Sequence, residues 1–194
     1  SNNAAVVAGD NNCLALLSIN ESTGAIEKVK TFDTENALES DVYNSFLSVS
    51  VSNNMLALSG DNGCRVRCWD VESRKEILAF KVEGWVVSVD IERSHSLPSS
   101  NIRLGVAGTK GGLLYLFSLD RSTASSSTLC RVSTGESQAM IAWCSFFQGN
   151  SYIVANSSGK TIYMYKIIKY AEDAKEKATV DMSLECTFPA FAPF

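Results

Sequence analysis

Apolar and polar positions alternate along this chain in short runs with the period of a half-buried β-strand. Tyr43 to Val51 reads this way, and so do Trp85 to Ile91 and Met140 to Phe147. Between and after these runs lie four hairpin patterns, at residues 5–17, 56–70, 104–117 and 153–165. Each has an apolar strand, a small-residue turn, and a second strand. An outer strand follows each hairpin: Ile26 to Phe32, Glu76 to Val82, Thr128 to Ser133 and Val180 to Phe188. The patterning predicts about fifteen strands. One stretch departs from it. Tyr170 to Lys177 is rich in Ala, Glu and Lys, which predicts a short exposed helix in a long connection.

The hairpins repeat. Setting Gly9, Gly60, Gly108 and Asn156 in one column gives spacings of 51, 48 and 48 residues. Trp69, Phe117 and Tyr165 then share a second column, Gly9-Asp10-Asn11 matches Gly60-Asp61-Asn62, and Cys13 falls on Cys64. A period of this length with four strands per unit predicts an all-β chain, a β-propeller built of four-stranded antiparallel blades. About four blades are expected: 4–34, lacking its first strand, then 42–83, 84–134 and 139–188, with 189–194 as an aromatic and proline tail or linker.

Arg65-Val66-Arg67-Cys68-Trp69-Asp70-Val71 followed by Glu76-Ile77-Leu78-Ala79-Phe80 resembles the third and fourth strands of the WD-repeat family. The likeness covers nearly the whole chain, with departures. The Gly-His pair that precedes the first strand in typical members is missing from every unit, and Trp-Asp occurs once, replaced by Phe117-Ser118 and Tyr165-Lys166. The resemblance implies a divergent propeller that binds other proteins and performs no catalysis. A partial ring exposes strand edges and an apolar face. The expectation is therefore that a missing segment, another chain or a second copy completes it.

Composition narrows the classes. The net charge of −4 and the lack of a basic block argue against direct nucleic-acid binding. Apolar runs are strand-sized, so no membrane span is expected. The six cysteines are scattered, with no CxxC pair and a single histidine, His95. That spacing favours reduced thiols in an intracellular protein, cytoplasmic or nuclear, over zinc ligands or a disulfide framework.

No catalytic, cofactor or metal constellation stands out. Gly159-Lys160-Thr161 lacks the rest of a phosphate-binding loop and sits in a hairpin. Gly105, Gly108, Gly111 and Gly112 read as turn and packing residues. Asp33, Asp70, Asp90 and Asp120 read as solvated turn carboxylates. Arg65 and Arg67 share a strand face and are expected to pair with acids on neighbouring strands. The candidate partner-binding residues lie where hairpin turns and first-strand starts open near the channel: Asp61, Asn62, Trp85, Lys110, Trp143 and Lys160, with Asp10, Asn11, Thr109 and Ser158 beside them. The function expected is a scaffold subunit of a multi-protein complex, binding proteins or peptides on the propeller face. The rival readings are a regulator of a small GTPase or of membrane traffic, and a propeller enzyme with its site in the channel.

Overall fold

The computed structural model describes residues 3–10, 13–20, 22–34, 45–52, 55–92, 102–135, 140–158, 161–169 and 180–189. These form fifteen strands and, among the described residues, no helix. The first sheet has three strands, β1 (Asn3–Ala8), β2 (Leu14–Ile19) and β3 (Ile26–Thr31). Three four-stranded sheets follow: β4 (Phe46–Val51) to β7 (Lys75–Lys81) through β5 (Leu56–Asp61) and β6 (Arg65–Asp70); then β8 (Val86–Ile91) to β11 (Ser125–Ser133) through β9 (Ile102–Thr109) and β10 (Leu113–Asp120); then β12 (Ile141–Phe147) to β15 (Val180–Pro189) through β13 (Tyr152–Ser157) and β14 (Thr161–Lys169). Every sheet is an antiparallel meander, and β4, β8 and β12 are the inner strands that neighbour one another. This is the blade architecture of a β-propeller. The predicted helix at 170–177 lies outside the described residues.

Three apolar layers join the blades. Leu58, Val66 and Cys68 of the second blade face Val86, Val89 and Ile91 of the third. Val106, Leu114 and Leu116 of the third face Ile141 and Cys144 of the fourth. Trp69 lies between the first two blades, edge-on to both Phe32 and Phe46, with its indole Nε1 donating to Ser59 Oγ at 2.8 Å. Trp69 and Phe117 are fully buried and Tyr165 nearly so, which explains the bulky column of the repeat.

The glycine column has a packing reason too. A Cβ on Gly60 would sit 2.3 Å from Val86 Cγ1, and one on Gly108 would sit 2.3 Å from Ile141 Cγ2. Gly105 likewise leaves room for the Phe117 ring. Of the glycines expected in the third hairpin turn, Gly112 alone takes a positive φ, of 76°, and Cys64 takes the matching position in the second blade at 63°.

Side-chain oxygens link the inner strands. Ser48 Oγ accepts from Val89 N at 3.1 Å, and one blade further on Ser88 Oγ accepts from Cys144 N at 2.9 Å. Two residues along, Ser50 Oγ accepts from Ile91 N at 3.4 Å, and Asp90 Oδ2 accepts from Phe146 N at 3.0 Å. Asp90 is thus no solvated turn carboxylate. It is buried within β8, and both Ser50 Oγ and Ser145 Oγ also donate to it at 2.6 Å. Four donors, counting its own neighbour Ile91 N, offset the desolvation of the charge. Asp70 and Asp120 do cap turns, accepting from Ser73 N and Ser122 N.

The first hairpin corrects the repeat register. Ala8 faces Leu14, as Gly60 faces Val66, Gly108 faces Leu114 and Asn156 faces Ile162. Ala8, and not Gly9, therefore occupies the glycine column. Parity is the reason. Val6, Leu14 and Leu16 pack on Phe46 and Trp69, and a one-residue slip would turn all three away from that layer. The Gly-Asp-Asn identity of the first two blades is offset by one residue in space. Pro189, assigned to the tail by its sequence, is the last residue of β15, an edge position where a missing donor costs little.

Candidate functional site

The candidate residues cluster at the turns between the second and third strands of each blade and at the starts of the inner strands. Three blades share one arrangement there. The amides of Asn62, Lys110 and Ser158 donate to the carbonyls of Ser45, Trp85 and Met140 at 3.2, 2.9 and 2.8 Å. In the second and fourth blades a side chain completes the clamp. Asn62 Oδ1 accepts from Ser45 N at 3.0 Å, and Ser158 Oγ accepts from Met140 N at 2.9 Å.

The third blade breaks that rule. Lys110 has no acceptor to offer, and its ammonium instead lies 4.0 Å from the centroid of the Trp85 ring. Trp85 remains 45% exposed, against the full burial of Trp69. A cation over an indole face is stabilising by about 0.5–1 kcal/mol at an exposed site. Both groups stay at the surface, Trp85 half exposed and Lys110 exposed. Gly84, with φ of 90°, lets the chain turn into β8 directly before Trp85. Glu83 and Arg131 form an exposed ion pair beside this corner at 2.9 Å, and Glu83 N donates to Tyr115 Oη at 3.0 Å. A site of opposite charges and one aromatic ring suits polypeptide recognition.

The other candidates fall elsewhere. Asp61 is fully buried, and its removal from the surface is a correction. Its Oδ1 accepts from Arg65 N at 2.9 Å, and its Oδ2 pairs with Arg67 Nε at 3.0 Å. Arg67 Nη1 also pairs with Glu76 at 2.9 Å, so the pairing with acids of neighbouring strands expected of Arg65 and Arg67 is present for Arg67, as a buried network. Thr109 is buried at the position matching Asp61, its Oγ1 accepting from Leu113 N at 3.3 Å. A short polar side chain at this column closes the hairpin turn from within, and nothing in the local pattern separates that role from an exposed one.

Trp143 is not at a strand start. It faces Asn156 across β12 and β13, the position that Ser48 and Ser88 hold in the preceding blades, and it is 51% exposed. Among the described residues no further blade covers it. Asp10 and Ser158 are exposed. Asn11, Lys160 and His95 lie outside the described residues.

All six cysteines are free. Burial pushes the Cys68 and Cys144 thiols up to about 12. These two pack as small apolar side chains in the blade joints. Cys130 Sγ donates to Asp181 Oδ1 at 2.9 Å, bridging the third and fourth blades. Burial and that bond raise the thiol, while the same bond and the Met182 amide lower the carboxyl. Among the described residues no three His, Cys, Asp or Glu side chains converge as metal ligands. No helix of the described residues is long and apolar enough to cross a membrane. No protein-family model matches this chain, and no curated protein matches it in sequence.

Proposed function

We propose that this chain is a non-catalytic protein-interaction scaffold, a WD-repeat-like propeller subunit of an intracellular complex, that engages a polypeptide partner at the Trp85–Lys110 corner. The observation that carries the reading is the replacement, in one of the three described turn clamps, of a side-chain acceptor by an exposed cation–π pair. Departure from a repeat rule at one exposed position is a mark of use, because the structural alternative is available in the neighbouring blades. Exposed Trp residues are also over-represented among the few side chains that dominate interfaces. The Trp69-Asp70 ending of β6 supports the family reading, with Trp69 filling a blade joint and Asp70 capping the next turn. Six unpaired thiols support a reducing compartment.

The test is a quantitative pull-down of proteins co-purifying with the chain, comparing wild type with Trp85→Ala and Lys110→Ala. Trp85→Ala should weaken partner retention at least about tenfold, and Lys110→Ala by a smaller factor. Both variants should melt within about 2 °C of wild type, since neither side chain belongs to a blade joint. A partner retained equally by all three proteins would sink this placement of the site.

A further inference from the structure

We infer that the polypeptide engaged at the Trp85–Lys110 corner is an acidic segment, with carboxylates that meet Lys110 and Arg131 and an apolar side chain that packs on the indole. The inference rests on the partner corner proposed above and adds the chemistry of what binds there. At this turn the second and fourth blades place neutral side chains, Asn62 and Ser158. Each spends its oxygen on the amide just ahead of its own inner strand. The third blade places a cation there instead, with its ammonium 4.0 Å from the ring centroid. A ring face attracts the charge of an ammonium but offers its N–H donors no lone pair. A carboxylate offers several.

A second cation stands at the same corner. Arg131 is tied to Glu83, which precedes Gly84 and Trp85, by an ion pair whose side chains are 54% and 73% exposed. A pair this exposed is weak, and the guanidinium can exchange Glu83 for a partner's carboxylate or hold both. Two exposed cations against one acid make the corner opposite in sign to the chain, whose net charge is −4. Such a site selects among polypeptides by charge. The indole supplies the apolar contact, since Lys110 lies over the ring and Trp85 still remains nearly half exposed. Nucleic acid fits less well, because two cations beside one ring do not track a phosphate backbone.

Random peptides displayed on phage are selected on the full chain, and each binder is then tried on Trp85→Ala. Binders that Trp85→Ala weakens at least about tenfold define the corner. Their Asp and Glu content should exceed that of the unselected library at least about twofold, with Lys and Arg depleted. Synthetic copies of these peptides are then titrated by fluorescence anisotropy. Lys110→Glu should bind them at least about tenfold more weakly, and Arg131→Gln about threefold more weakly. Lys110→Arg should stay within about threefold of wild type, because arginine keeps both the charge and the ring contact. Raising salt from about 0.05 M to about 0.3 M should weaken the wild-type complex at least about threefold. If no binder depends on Trp85, the partner corner itself fails and the acidic partner with it. Trp85-dependent binders without acidic enrichment, or with equal affinity for Lys110→Glu, would overturn the acidic partner and leave the corner standing. A single-stranded oligonucleotide that binds wild type but not Trp85→Ala, with acidic peptides inert, would overturn it in favour of nucleic acid.

Discussion

The third and fourth blades present the same face to different surroundings. Val106, Leu114 and Leu116 are fully buried against the fourth blade. Val154, Ile162 and Met164 hold the matching positions and are only half-buried. The apolar pattern is therefore a property of the repeat. The features that set close approach are a property of the joint. Gly108 makes way for Ile141, and Ser88 receives the Cys144 amide, whereas their counterparts are Asn156 and Trp143. Where a neighbour sits at contact distance the side chain must be small or an acceptor. Where the described residues leave the face open, both demands lapse.

Truncation separates the two faces most strongly. Leu116→Ala should cost about 2–5 kcal/mol in denaturant unfolding, and Met164→Ala less than about 1 kcal/mol, because only the first leaves a closed cavity. Equal costs would mean that the fourth blade is covered in solution. Asp90 tests the joint between inner strands. Asp90→Ala strands two hydroxyls and two amides from three blades and should cost about 2–4 kcal/mol, against about 1 kcal/mol for Ser145→Ala.

Overpacking gives a smaller contrast. Gly108→Ala should cost about 1–3 kcal/mol, since the new methyl meets Ile141, while Asn156→Ala should fall within about 0.5 kcal/mol of wild type. Acid titration has the smallest expected effect. Although burial acts to raise Asp70, the Ser73 amide and hydroxyl and the Arg121 guanidinium outweigh it and hold the carboxyl below its ordinary 3.8. A depressed carboxyl stabilises the fold above its unfolded value, and that contribution disappears as pH falls through the folded value. Asp70→Asn should lower the melting temperature slightly near neutrality and match wild type at the acid end, which flattens the loss on acidification. Asp181, lowered by the Cys130 thiol and the Met182 amide, acts in the same direction at the next joint.

Much of this architecture is legible in the sequence. The column of Trp69, Phe117 and Tyr165 and the glycines at 60 and 108 follow from packing that repeats, and repetition is what a sequence displays. The first blade is misread because Gly9-Asp10-Asn11 matches Gly60-Asp61-Asn62 in letters, while the parity of Val6, Leu14 and Leu16 fixes the register one residue away. Asp61 and Asp90 are misread for a different reason. Carboxylates in the sequence read as solvated, and burial becomes visible only with the arginine and the amides that satisfy them. Trp85 is identified correctly as an aromatic at a strand start, but the cation–π pair with Lys110 depends on a hairpin geometry that only the fold supplies.

The blades are joined through their inner strands, and Asp90 of β8 bonds to both neighbours. Amide hydrogen exchange measures this most directly at Phe146, whose amide donates to Asp90 across the joint. Asp90→Ala should speed exchange at Phe146 at least about tenfold more than at Cys144, whose amide donates to Ser88 instead. Equal changes at the two amides would contradict a joint built on Asp90.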